Sequence, residues 1–142
     1  MKRIITLSVA IFTLLALVLS LAACNTVDAE GVWESATYRR DKSFGNGKTE
    51  ITVAVEAGES SVTFTVKTDK TVLADALTEH DIISGEITEF GLSVYTVNGM
   101  TANWNTDKAY WALYVGDDYA STGVSFIEIE DGDAFRFVYT AT

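Results

Sequence analysis

"ITVAVEAGESSVTFTVKTDKTVLADALTEHDIISG", residues 51–85, decides the fold. Its first seven residues alternate. Ile51, Val53 and Val55 point one way, and Thr52, Ala54 and Glu56 point the other. "GES" at 58–60 is a turn, and the alternation then resumes with Val62, Phe64 and Val66 opposite Thr63, Thr65 and Lys67. Two period-2 runs joined by a short Gly-containing loop predict a β-hairpin with one buried face. The period then changes. Val72, Leu73, Ala76 and Leu77 form one helical stripe, with Asp75 and Glu79 on the other side. Thr68, Asp69 or Thr71 can cap the start, and by Gly85 the chain has left the helix.

Downstream, the strands return. "EITEF" and "LSVYTV" flank Gly91, and Asn98-Gly99 follows as a dipeptide suited to the positive φ angles of a type I′ turn. "YWALYV", "YAST", "VSFIEI" and "AFRFVYT" read as further strands, with Asp131–Asp133 turning the chain between the last two. The chain contains no proline, so no ladder donor is lost to one. A hairpin, a helix and then more strands predict an α+β domain, a mixed sheet with one helix packed on one face. The β-grasp is the natural candidate.

Upstream, residues 24–48 are mixed and polar without sustained periodicity, and read as a tether entering a first irregular strand near residues 31–38. Arg39, Arg40 and Lys42 form a small basic cluster there, and residues 44–47 ("FGNG") read as a turn. The first stretch is an address. Lys2 and Arg3 precede an apolar run over residues 4–23, and Ala22-Ala23 precede Cys24. That is the layout of a secretory signal peptide. The ending "LAAC" resembles the lipobox of bacterial lipoproteins. In that family the Cys thiol takes a diacylglyceryl group and becomes the new N-terminus. The alternative is an uncleaved membrane span, since about 20 apolar residues can cross a bilayer. The expected layout is therefore a signal peptide over 1–23, a tether over 24–48 and a folded domain over 49–142. Lipidation at Cys24 would hold the protein on the extracytoplasmic face of the cell membrane.

Composition excludes several classes. The formal net charge is −10, and −12 once Lys2 and Arg3 are removed. A surface so acidic repels nucleic acid and anionic lipid headgroups. The single cysteine is spent on lipid, so the domain has no disulfide and its core must hold the fold alone. His80, the one histidine, has no nucleophile signature around it and is a poor metal site by itself. "GNG" lacks the Lys-Ser/Thr and the strand-to-helix setting of a phosphate loop. Asp117, Asp118, Asp131 and Asp133 offer oxygen ligands for Ca²⁺, but their spacing matches no EF-hand and they read as turn formers. No catalytic constellation can be assembled, so the chain reads as a binding protein rather than an enzyme.

Aromatic residues carry the binding reading. On residues 110–115, Trp111, Leu113 and Val115 share one face, and Tyr110, Ala112 and Tyr114 share the other. The apolar set should face the helix, and the tyrosines, with their hydroxyls, suit a half-wet position. Phe135, Phe137 and Tyr139 likewise share one face of the last strand. Aromatics on both faces of a sheet covered on one side imply either ordinary core plus scattered surface tyrosines, or an exposed platform.

The segment 97–140, with Val97-Asn98-Gly99, Tyr110-Trp111, Gly123-Val124 and Asp131-Gly132-Asp133 before an alternating aromatic strand, resembles the transcobalamin-like C-terminal domain of bacterial lipoproteins, the DUF4430 family. "TVLADAL" at 71–77 is similar to that family's helix entry, so the resemblance spans roughly residues 49–142. It implies a β-grasp of the soluble-ligand-binding type. In transcobalamin and intrinsic factor, a related domain caps bound cobalamin beside a large helical barrel. The resemblance thus points to a surface-anchored receptor for a soluble small molecule such as a cobalamin-like corrinoid. Trp104, Tyr110, Trp111, Tyr114 and Tyr119 would then supply flat contacts, with no cofactor and no metal beyond that ligand. The alternative is a protein-interaction module, transporter-associated or adhesive, docking an envelope partner through a strand edge or the uncovered aromatic face.

Overall fold

The computed structural model describes residues 29–142. The expected signal peptide over 1–23 and the expected lipidation at Cys24 lie outside the described residues. A short helix, α1 (Ala29–Val32), continues into a 3₁₀ turn at Trp33–Ser35. The irregular strand expected near 31–38 is therefore absent. Val32 is buried and Trp33 packs against the core, so this turn closes one end of the sheet.

Nine strands follow in chain order: β1 (Lys42–Gly45), β2 (Thr49–Ala57), β3 (Ser60–Thr68), β4 (Ile83–Thr88), β5 (Gly91–Val97), β6 (Met100–Thr101), β7 (Ala109–Val115), β8 (Asp118–Tyr119) and β9 (Ala134–Ala141). Two further helices, α2 (Leu73–Thr78) and α3 (Trp104–Asp107), interrupt them. Six strands make one mixed sheet in the order β1-β3-β2-β9-β7-β8, and β4-β5-β6 make a second, antiparallel sheet. The expected hairpin is β2–β3, in continuous register from Thr49↔Thr68 to Ala57↔Ser60. Its turn uses Gly58 at φ +61°, where a side chain would be strained. The last strand, β9, lies in the middle, parallel to β2 and antiparallel to β7. A parallel pair of this kind needs a crossover, and α2 begins it.

One face of the large sheet is the core. Ile51, Val53, Val55, Phe64, Val66, Phe135 and Phe137 are all essentially inaccessible. Burying such a side chain contributes about 1.5–3 kcal/mol. The expected single-helix cover is corrected here. α2 is only six residues long and places Leu73, Ala74, Ala76 and Leu77 on the sheet. A helix that short cannot span six strands. The second sheet covers the rest through Ile83, Val97 and Met100, and Val124 and Ile129 complete the cover. The segment "VSFIEI", expected as a strand, forms a 3₁₀ turn at Val124–Phe126 followed by an isolated bridge from Glu128 to Val72. Val124 and Ile129 are buried, but five residues apart and not on one period-2 face, and Phe126 between them is exposed.

The Asn98-Gly99 dipeptide turns β5 into β6 with φ +51° and +79°, as a type I′ hairpin requires. Asn98 does more than turn. Its side chain is buried, Oδ1 accepts the Tyr38 N–H at 2.9 Å, and Nδ2 donates to the Tyr38 carbonyl at 2.7 Å. Its own N–H donates to Ile82 O, and its carbonyl accepts from Thr37 N. One residue thus pins the N-terminal segment to the second sheet. That segment continues into β1, which pairs parallel to β3 and buries Phe44. Part of the stretch read as a tether is therefore a strand of the large sheet.

Candidate functional site

Strand alternation places the aromatics of β7 as expected. Trp111 and Leu113 turn to the core face and are buried. The Trp111 indole N–H donates to Met100 O at 3.1 Å, and the ring meets Tyr139 edge-on at 5.5 Å. Val115, on the same face, sits at the strand end and is exposed. Tyr110 and Tyr114 lie on the opposite, open face.

A cleft of about 360 Å³ opens where β7 and the second sheet diverge. Trp111, Leu113 and Phe137 form one wall, and Leu92 and Val94 of β5 form the other. The loop over residues 119–124 closes one side. Phe90, at the β4–β5 turn, is 76% exposed and Tyr119, on β8, is 61% exposed. Both border the cleft, so its rim offers two flat apolar surfaces that the fold itself leaves uncovered. The turn is positioned from across the cleft. Gly91 adopts φ +86° and lies so close to Ser125 that an added Cβ would stand 2.7 Å from its side chain. Ser125 Oγ accepts the Leu92 N–H at 3.0 Å.

Backbone polarity adds direction. Thr142 N donates to Lys108 O and Gly116 N to Ala134 O. This phase gives the even-numbered residues of β7 to β9 and turns the odd-numbered ones toward the free edge. The Ala120 N–H donates to the Leu113 carbonyl at that edge. No charged side chain lines the cleft. Such a site suits an uncharged, flat ligand bearing amide or carbonyl groups that can meet a strand edge. It holds no nucleophile beside a base. Tyr139, behind Trp111, has its hydroxyl buried without a partner among the described residues. Burial, with a smaller contribution from the charge of Asp107, raises its pKa.

The five residues expected at the site do not share one surface. Trp111 walls the cleft, and Tyr119 borders it while its ring meets Tyr114 edge-on at 5.5 Å. Tyr110 and Tyr114 belong to the open face of the sheet. There the Arg136 guanidinium lies over the Tyr114 ring at 4.3 Å and pairs with Glu56 at 3.3 Å. Trp104 opens α3, 52% exposed and 6.4 Å from the Tyr110 ring, where Asn103 caps the helix by accepting from Asn105 N and Thr106 N. Phe90, Leu92 and Phe137 were missed. For Phe90 a signal existed: a large aromatic beside a turn glycine has little to bury against locally.

Among the described residues no group of three or more His, Cys, Asp or Glu is placed to hold a metal ion. Asp131 and Asp133 instead accept from the backbone N–H of Glu50 and Glu130. His80 stacks near Phe44 and stands 3.8 Å from the Glu79 carboxylate. No helix among the described residues is long and apolar enough to cross a membrane.

No protein-family model matches the chain. No curated protein matches it either. Solved structures do. A protein from Ruminococcus gnavus ATCC 29149, described provisionally as metal-binding, is 28% identical, with 67% of this chain and 99% of that one covered at a TM-score of 0.63. Haptocorrin in complex with Cbi is 19% identical at a TM-score of 0.54, over 69% of this chain. The match spans only 26% of haptocorrin, so the likeness is to a part of that protein. The transcobalamin-like fold expected from the sequence is thus the fold that haptocorrin shares with this chain.

Proposed function

We propose that this protein is a lipid-anchored member of the transcobalamin-like, DUF4430-type lipoproteins. In this reading it binds a soluble small molecule of the corrinoid class on the extracytoplasmic face of the membrane. The cleft between β5 and β7 carries the reading, because its rim leaves Phe90 and Tyr119 exposed above an uncharged apolar wall. The fold shared with part of haptocorrin supports it. A corrinoid is a flat macrocycle fringed with amides. One edge of it can lie against the aromatic rim formed by Phe90 and Tyr119. A cleft of this volume takes an edge of such a ligand, so a second protein or domain would complete the site.

The test is a calorimetric and tryptophan-fluorescence titration with cobalamin and with cobinamide. Saturable heat and quenching at micromolar ligand are expected, because Trp111 walls the cleft. No heat and no quenching up to about a millimolar, a ceiling of only about −4 kcal/mol, would remove the corrinoid reading.

The open face favours a second reading, a partner-protein surface, through the Tyr110, Tyr114 and Arg136 group. A native pull-down that retains a stoichiometric protein and no small molecule would select it.

A further inference from the structure

The ten lysines and arginines of this acidic chain are unevenly placed. Lys2 and Arg3 stand in the leader, and three of the other eight fall at Arg39, Arg40 and Lys42. All three are exposed, and among the described residues none pairs with a carboxylate. Arg39 is aimed by its bond to the Glu34 carbonyl at 2.9 Å, and the Lys42 ammonium rests 4.2 Å above the Tyr38 ring. The one acid among them, Asp41, is engaged by Thr63 N at 2.8 Å.

Their place in the fold gives the cluster a partner. β1 runs parallel to β3, so the residues before Lys42 lead toward Ser60 and the β2–β3 turn. The N-terminal end of the described chain sits at that same turn, where a methyl on Gly58 would lie 3.6 Å from the Ala29 carbonyl carbon. Five residue steps lead from Cys24 to Ala29, a reach of at most about 17 Å. A chain anchored at Cys24 therefore keeps this corner of the sheet within that distance of the bilayer. We infer that Arg39, Arg40 and Lys42 form a docking corner for anionic lipid headgroups, an inference that rests on the proposed anchoring.

The strand order supplies the consequence. The cluster sits at the β1 edge and the cleft at the β7–β8 edge, five strand spacings or about 24 Å away. Seating the basic corner on lipid turns the cleft toward solvent. The carboxylates of Glu30, Glu34 and Glu59 share this end and oppose the docking, which therefore rests on the three basic side chains alone.

The full chain is reconstituted into liposomes of phosphatidylcholine alone, or with about one-third phosphatidylglycerol, and digested with trypsin. Flotation with both liposome types is expected, and failure to float defeats the anchoring and the docking together. With flotation intact, cleavage after Arg39, Arg40 and Lys42 should slow at least fivefold in the phosphatidylglycerol liposomes alone. About 0.5 M salt should abolish that protection. The variant R40Q/K42Q keeps the Arg39 bond cleavable and should lose the lipid dependence while still floating. Equal cleavage in both liposome types overturns the docking corner and leaves the anchor standing. Protection by millimolar inorganic phosphate on phosphatidylcholine liposomes assigns the cluster to a free anion and also overturns it.

Discussion

Replacing Asn98 with Ala tests the account of how the two sheets are joined. The substitution removes two side-chain hydrogen bonds, one from the Tyr38 N–H and one to its carbonyl, at 2.9 and 2.7 Å. Each is worth about 1 kcal/mol net, and the Tyr38 groups left behind are partly buried. Asn98 also holds φ +51°, a conformation that costs a residue with an ordinary Cβ about 1 kcal/mol more than Asn. The sum is a loss of about 3 kcal/mol. Urea denaturation followed by tryptophan fluorescence measures it, and Asn98→Gly separates the two contributions by removing the φ cost while still losing both bonds. The glycine variant should recover about a third of the loss. A loss under about 1 kcal/mol for Asn98→Ala would refute the clamp, because the N-terminal segment would then be held by something else.

On the proposed function, Phe90→Ala and Tyr119→Ala should each weaken corrinoid binding about tenfold or more while leaving the urea midpoint unchanged, since both side chains are exposed; Tyr110→Ala, on the other face, should leave binding intact in the same titration. Gly45→Ala should destabilise by more than about 2 kcal/mol in urea, because φ is +70° and the new methyl would collide with the Lys67 carbonyl oxygen. Tyr139→Phe should be neutral or stabilising at pH 7, since it deletes a buried hydroxyl without a partner. The folded pKa of Tyr139 lies above its unfolded value near 10, so its contribution is intact below about pH 10 and is lost as pH rises through the folded pKa. Alkaline urea titrations should therefore show a steeper loss in the parent chain than in Tyr139→Phe.

Much of the scaffold was legible because its signals were local. The period-2 runs at residues 51–57 and 60–68, the turn at Asn98-Gly99 and the two faces of β7 are all set by neighbours in sequence. The division into two sheets was not legible. The residues of β4 and β5 look like any other strands, and only the missing hydrogen bonds between β5 and β7 distinguish them. The cleft fell in that gap. Its walls come from Leu92, Trp111 and Phe137, far apart in the chain, and no periodicity brings them together. Composition found the aromatic richness, but not that Trp104, Tyr110 and Tyr114 turn away from the cleft.

The position of β9 governs when this sheet can exist. Its Arg136 reaches Glu56 across 80 positions of sequence, and the strand separates the β2–β3 hairpin from β7. Until residues 134–141 arrive, the two halves of the sheet have no common neighbour and each exposes an unpaired edge. Closure of a loop that long comes late and slowly in folding. A nascent chain would thus remain pliable through most of its synthesis, and would become rigid only when β9 slid into the centre.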